Sequence, residues 1–500
     1  MNKIIYCLSV LAALVTIAGC GGNPVSNELD AEFFKRKIEG EITISAYETM
    51  SYRNFLEEAA RAFEEMYPGT KVNIETFSAM PEIRTGSDGN MQMSMIQMQN
   101  DPQSRTDYLN RVNTNLMSGK GGDIYAMDII PLYKFINNGS LENLKTYMNL
   151  DPGFYMNDYR QNIFKASEYS GGASGEVSRG IWFMPMDYTF NYFAYDSTLV
   201  PSDITAGFGV NKTLSTEDLL KTGIPLYDGS YRIFNTTDFD RGTSGFFSQL
   251  LNENMTAFVD MEKGRADFIN GGLSSLLASV RNYADLGYIP RAVTAQIDAG
   301  RVMRQAMDAP RDRFFFKLNN IFSLASRYMR SSGRSIMMFS GGSVMSNDDD
   351  DKVAGIQANS DGSVPYRYNH AFGINSASNN KETAWAFIKF LLSIDMQLST
   401  NLNLTGLPLN NEARKEKMEM TFSGAIQGTS AGLNEQELKS LHEYLEAMES
   451  LSDLINSFDL RDTQISDMIA GDIQFYIDGS RSADETARVI QNKVNLYLSE

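Results

Sequence analysis

Cysteine and histidine are nearly missing: two of each occur in 500 residues. Both cysteines, Cys7 and Cys20, fall in the first twenty positions, so the body of the chain can form neither a disulfide nor a thiolate metal site. His370 and His442 are the only imidazoles, which leaves histidine-based metal centres poorly supplied, and no metal or other cofactor is expected. Positive charge is also short. With 44 Lys and Arg against 62 Asp and Glu, the formal net charge is −18, and such a surface repels phosphate backbones and anionic headgroups. Nucleic acid is therefore not an expected partner. After the opening segment no apolar run reaches membrane-spanning length, no repeat of fixed period occurs, and Asp348 to Asp351 is the only low-complexity tract. Gly119-Lys120 is followed by Gly121 rather than Ser or Thr, so no phosphate-cradling loop is encoded.

What is present begins with residues 1–19. Lys3 precedes an apolar run from Ile4 to Ile17, too short to span a bilayer, and the run ends in Ile17-Ala18-Gly19-Cys20. That block resembles a lipobox, in which the Cys20 thiol takes a diacylglycerol and the chain is cleaved just before it. Two acyl chains anchor stably where one would not. This implies a lipoprotein signal peptide and a mature protein lipid-anchored at the extracytoplasmic face of the plasma membrane. Residues 20–40 read as a polar tether.

The remaining chain carries 42% apolar residues, ample for a buried interior, and its length suggests two or more lobes. Residues 41–46 show β-branched alternation, and Ser51 can cap a helix with Phe55, Ala59, Phe63 and Met66 on one face. Tyr67-Pro68-Gly69 ends it before a strand at 71–77. A helix is expected from about Pro102 to Met117, then a strand from Asp123 to Asp128. A turn at Asn375 to Asn380 precedes an apolar helix from Lys381, with Trp385 in the core. The last helix is capped by Ser482 and Glu485 and striped by Ala483, Ala487, Ile490, Val494 and Tyr497. Strands alternating with helices imply an α/β fold with parallel or mixed sheets.

Several blocks in this order resemble the maltose-binding-like extracellular solute-binding proteins, family 1, of ABC sugar importers: Gly121-Gly122-Asp123-Ile124 with Asp128, Asn138-Gly139-Ser140-Leu141, Ile181 to Pro185 with Tyr195-Asp196, Phe372-Gly373-Ile374-Asn375, Asn380 to Ile388, and Gly406 to Asn410. The resemblance implies a two-lobed periplasmic-binding-protein type II fold with hinge strands between the lobes. Lobe one is placed at 41–190 and 371–430, lobe two at 191–370 and 431–500, and the hinge strands near Phe193 to Asp196 and Tyr368 to Gly373. It further implies a monomeric, non-enzymatic binding protein that captures a carbohydrate, an oligosaccharide by preference, and delivers it to the transmembrane subunits of an ABC permease. A sensory receptor that presents its ligand to a histidine kinase, and a secreted glycan-processing enzyme, are the alternatives.

A sugar needs paired donors and acceptors for its hydroxyls and aromatic faces for its rings, and open α/β sheets hold ligands at strand ends. Asp128 ends the strand at which the family commonly places a ligand-binding carboxylate, although a capping role before Pro131 reads equally well. Tyr47, Glu48 and Thr49 follow the first strand, and Asp187, Tyr188 and Thr189 lead into the crossing, with Thr189 where the family pattern has an acid. Trp182 can stack on a ring but on a strand is more often core. No aromatic stands in Ser340-Gly341-Gly342-Ser343-Val344, where the family often has one, so Phe339 and Met345 are the neighbouring substitutes.

Competing chemistry is weak. Gly428-Thr429-Ser430-Ala431-Gly432 matches a hydrolase elbow, but residues 421–427 make a poor strand and His442 falls inside the following helix. Asp348 to Asp351 lacks the glycine and closing glutamate of a calcium loop and reads as a solvated acidic turn. Met91, Met93, Met95 and Met98 mix periods two and three, which suits adaptable packing better than a copper site.

Overall fold

The computed structural model describes residues 33–47, 50–77, 102–117, 121–171, 178–235, 242–289, 313–330, 339–340, 343–344, 350–399, 406–425, 433–460 and 462–499. Ten strands build two five-stranded sheets: β1 (Gly40–Tyr47), β2 (Thr70–Phe77), β3 (Ile124–Ala126), β4 (Met184–Pro185), β5 (Asn191–Asp196), β6 (Thr213–Leu214), β7 (Arg232–Asn235), β8 (Phe314–Asn320), β9 (Asp351–Gln357) and β10 (Ala371–Ile374). The first sheet has the order β2-β1-β3-β10-β4 and the second β7-β8-β5-β9-β6. β1 runs parallel to β2 and β3, whereas β10 returns antiparallel to both β3 and β4. In the second sheet β5 lies antiparallel to β8 and β9. The chain is thus a two-lobed α/β fold of mixed sheets, linked by an outbound crossing before β5 and a return crossing before β10.

Alternation decides which face each residue takes. Ile42, Ile44 and Ala46 of β1 are fully buried against α1 (Met50–Met66), whose Phe55, Ala59 and Phe63 are fully buried too. Met66, expected on that apolar face, is instead 58% exposed as the last residue of the helix, one turn beyond the buried Phe63. In β5, Tyr192 and Ala194 join one core cluster while Phe193 and Tyr195 join the other. Each cluster draws residues from both sheets, so the two lobes share a continuous apolar layer on either face.

Helices α2 (Pro102–Met117), α3 (Leu132–Asn137), α4 (Leu144–Leu150), α5 (Gly242–Glu253), α6 (Phe322–Arg330), α7 (Lys381–Leu391), α8 (Asn411–Ala425), α9 (Glu435–Asp453), α10 (Thr463–Ile477) and α11 (Ala483–Ser499) cover the sheets. Trp385 of α7 is buried and donates its indole N–H to Asp151 at 2.8 Å, and Lys389 reaches the same carboxylate oxygen at 2.8 Å. Within the segment read as tether, Phe33 is buried and meets Tyr147 edge-on at 5.6 Å, and Arg36 pairs with Glu382, so the chain is docked from Phe33 onward. In the last helix Ser482 Oγ accepts the N–H of Glu485 at 3.2 Å, and Ala487, Ile490, Val494 and Tyr497 are buried as their spacing predicts.

One acidic reading is corrected. Asp351 is not part of a solvated turn: it opens β9, is 7% exposed at its side chain, and takes Lys317 Nζ at 3.1 Å with Arg327 at 3.8 Å. A charge entering a central strand needs such partners, since burying it alone would cost far more than the strand gains. The elbow-like block at 428–432, the methionine cluster at 91–98, Gly119-Lys120 and the signal segment lie outside the described residues. Residues 411–425, where the strand ahead of an elbow would begin, form α8, and His442 sits inside α9.

A second buried carboxylate ties α5 to the crossing strand. Glu253 accepts the N–H of Thr216 at 2.9 Å, its hydroxyl at 2.6 Å, and Gln357 Nε2 at 2.7 Å, while Gln357 in turn accepts from Asn191 at 3.0 Å. Burial pushes its carboxyl up to about 7 against the pull of those donors. The folded state therefore holds a proton that the unfolded chain releases, and this group's stabilisation is lost as pH rises from about 4.5 to about 7. We expect Glu253→Gln to remove a few kcal/mol of that pH-dependent loss, seen in urea unfolding at pH 5 and pH 8; parallel wild-type and variant profiles would refute the assignment.

Candidate functional site

The two crossings lie side by side. Thr189 and Arg367 exchange backbone hydrogen bonds at 2.7 and 2.8 Å, and the Met186 N–H donates to the His370 carbonyl at 2.8 Å. Backbone pairing alone would leave this junction short, because β4 contributes only Met184 and Pro185. Asp187 completes it. Its carboxylate, fully buried, accepts the N–H of Asn369 at 2.9 Å, Asn369 Nδ2 at 2.8 Å and the N–H of His370 at 3.2 Å. Gly406 leaves room for this carboxylate: a Cβ there would stand 2.5 Å from Asp187 Oδ2 and 2.9 Å from the Tyr188 carbonyl.

His370 carries the chain from the junction to a cleft. Its Nδ1 lies 3.6 Å from Asp128 Oδ2, and Asp128 Oδ1 accepts the N–H of Ala371 at 3.3 Å. Asp128 stands just beyond β3, where the sheet opens, at 22% side-chain exposure. Burial raises its carboxyl above the ordinary range, and the nearby imidazole of His370 pulls it partly back. For His370 burial works downward, yet the neighbouring carboxylates of Asp128 and Asp187 outweigh it and the imidazole ends above its usual value.

The cleft is lined by Met127, Asp128, Ile129, Ile130, Pro131 and Leu132 from the first lobe's strand end, by Tyr368 from the return crossing, and by Asp459, Leu460 and Asp462 ahead of α10. Tyr368 is held by Phe183 at 5.1 Å between ring centres, and Phe183 by Phe458 at 5.3 Å. Asp459 accepts Arg367 Nε at 3.0 Å, and Asp462 accepts the Tyr497 hydroxyl at 2.7 Å while capping α10 through the N–H of Gln464 at 2.8 Å. The lining offers carboxylate acceptors, a phenol ring and an apolar wall around a space of about 30 Å³, room for a water or two as it stands, so a larger guest requires its walls to part. Among the described residues no cluster of three or more His, Cys, Asp or Glu side chains is arranged to hold a metal ion, and no helix is long and apolar enough to cross a membrane.

The residues expected at the site separate into groups. Asp128 lines the cleft. Tyr47, at the end of β1, donates to Ser104 at 3.0 Å and meets the ring of Tyr108 edge-on at 5.6 Å; Tyr108 in turn feels the charge of Asp128. Asp187 and Thr189 lie in the paired crossings. Tyr188 is fully buried with its hydroxyl 3.4 Å from Ser452, and Trp182 is buried with its N–H on the Tyr169 carbonyl at 3.0 Å. The Phe339 backbone pairs with Val344, far along the chain from the first lobe's strands, whereas Glu48, Thr49, Met345 and Cys20 lie outside the described residues. Sequence reasoning did not propose Tyr108, Tyr368, His370, Asp459 or Asp462 as site residues. A Tyr-Asn-His triplet just before a strand that returns to the first sheet is the one local signal for two of them.

Residues 48–398 match the model of the family described as bacterial extracellular solute-binding protein. Among solved structures, the chain is similar to an extracellular solute-binding protein family 1 member from Alicyclobacillus acidocaldarius, at 16% identity and a TM-score of 0.52, covering 93% of this chain and 100% of that one. It is also similar to the cyclic alpha-maltosyl-1,6-maltose binding protein from Arthrobacter globiformis (14% identity, TM-score 0.50, 92% and 99% covered). A family 1 extracellular solute-binding protein from Bifidobacterium longum subsp. infantis is alike at 14% identity and a TM-score of 0.50, with 91% and 98% covered. At these identities the likeness concerns the fold. No curated protein matches the chain in sequence.

The junction makes a direct prediction. Asp187→Ala leaves three donors of the return crossing without this acceptor and empties a fully buried site, and should cost about 2 kcal/mol in urea unfolding, with Gly406→Ala destabilising in the same direction through the displaced carboxylate. Wild-type stability in both variants would show that the Asp187 contacts do not hold the crossings together.

Proposed function

The chain belongs to the bacterial extracellular solute-binding protein family, and on that premise we propose that it is the substrate-binding lipoprotein of an ABC importer that captures a carbohydrate between its lobes. Lobe one is taken as 41–190 with 371–430, and lobe two as 191–370 with 431–500. The observation that carries the reading is the position of the Asp128 cleft: it opens at the end of β3, touches the return crossing through Tyr368, and is walled on the far side by residues ahead of α10. A guest held there contacts segments that move relative to one another when the hinge bends, so binding favours the closed form. Asp128 accepts hydroxyls and Tyr368 presents a ring face. The cyclic oligosaccharide named for the Arthrobacter protein supports an oligosaccharide as guest.

Acylation of Cys20 would hold the protein at the extracytoplasmic face of the plasma membrane, and the closed form would be presented to permease transmembrane subunits. The protein acts as a monomer and leaves its ligand chemically unchanged. Globomycin treatment of producing cells, followed by mass measurement, tests the anchor: accumulation of an uncleaved, acylated precursor is expected, and an unmodified Cys20 would remove it.

Thermal-shift measurement against glucose, maltose, maltotetraose and cyclic maltosyl-maltose tests the ligand class, because a ligand that binds only the native state raises the melting temperature. At least one oligosaccharide should do so, and Asp128→Ala should weaken its binding about tenfold or more while leaving the unliganded melting point nearly unchanged. Equal affinity in both proteins would remove Asp128 from the site.

A further inference from the structure

His370 is held at both ends by carboxylates of different segments. Its backbone N–H is gripped by Asp187 of the outbound crossing at 3.2 Å, its carbonyl accepts from Met186 at 2.8 Å, and its ring faces Asp128 at 3.6 Å. Both partners are mostly buried, at 17% side-chain exposure for His370 and 22% for Asp128. We propose that His370 is a positioning residue: its ring orients the ligand-facing carboxylate of Asp128, and its clamped backbone ties that orientation to the hinge. The ligand role of Asp128 rests on the function proposed above.

The geometry gives the ring a defined task. A carboxylate at the mouth of a cleft can rotate, and each rotamer presents different lone pairs to a guest. Here Oδ1 is fixed by the Ala371 N–H at 3.3 Å, and a protonated Nδ1 attracts Oδ2, so the remaining lone pairs point in one direction. Both contacts come from consecutive residues of the return crossing. When the hinge bends, Asp128 is re-aimed with it, and a guest that prefers one aim biases the hinge by the same free energy.

The charged and titratable groups facing the ring are Asp128 beyond β3, Asp187 on the outbound crossing and Tyr368 on its own segment. Tyr108 of α2 faces Asp128 in turn, and Asp459 faces Tyr368. Burial disfavours the charged ring, and the carboxylates of Asp128 and Asp187 outweigh it, so the imidazole ends above its ordinary value. Loss of the ring proton as pH rises leaves the Asp128 carboxylate without its charged partner.

Because the chain has only two histidines, NMR titration of the ring protons reads this directly in the full-length protein without any ligand. His442, 74% exposed in α9, serves as the internal control. In Asp128→Asn the His370 midpoint should fall by at least about half a pH unit while that of His442 stays in place, since burial is then opposed by one charge fewer. A smaller movement of His370 overturns the proposal. In a second arm with maltotetraose as the probe, wild-type affinity should drop about threefold or more as pH rises through the His370 midpoint, and His370→Gln should bind with a flat profile. Identical profiles for the two proteins overturn it. Absence of maltotetraose binding at every pH counts against the choice of sugar, and the ligand-free titration still decides the role of His370.

Discussion

The pairing of two short crossings, fastened by the buried carboxylate of Asp187, is the constraint on which the rest of the molecule depends. Backbone hydrogen bonds across the junction are few, since β4 spans only Met184 and Pro185 and Thr189 meets Arg367 in an isolated bridge. A buried carboxylate that accepts three N–H groups from the opposite segment supplies what the short strands lack. It does so where the chain passes between the two sheets. Gly406 is required for the same reason: no side chain can occupy its position without displacing Asp187.

From that junction the order of chemistry along the return crossing is short and directional. Tyr368 faces the cleft, Asn369 binds Asp187 through both backbone and side chain, His370 faces Asp128, and Ala371 starts β10 while donating to Asp128. Four consecutive residues therefore serve ligand wall, hinge clamp, carboxylate and sheet in turn. The apolar layers that run through both lobes keep this alignment, because Tyr192 and Phe193 on the neighbouring crossing strand are fixed in opposite cores.

Most of the first lobe could be read from local pattern. β-branched alternation marks β1, a proline start and polar face mark α2, and the Trp385 stripe marks α7, because each signal lies within one element. Family resemblance gave the return crossing near Tyr368 to Gly373 but set the outbound one at Phe193 to Asp196, which lies inside β5 of the second sheet, whereas the paired segment is Met186 to Thr189, and it gave none of their chemistry. Asp187 and Tyr188 read as cleft residues from their place after Pro185, whereas one is the clamp and the other is core, and the partner of Asp187 lies 182 residues away in sequence. Long-range pairing leaves no periodic trace. The same holds for His370 and for Asp351, whose acidic neighbours suggested solvent while Lys317 and Arg327 draw it into a sheet.

The central claim is a hinged pair of lobes that shuts on a polar guest, and small-angle X-ray scattering of the purified protein with and without a saturating oligosaccharide tests it most directly. The account predicts a smaller radius of gyration on ligand addition, abolished in a variant that cannot bind. An unchanged radius at demonstrated saturation would contradict it.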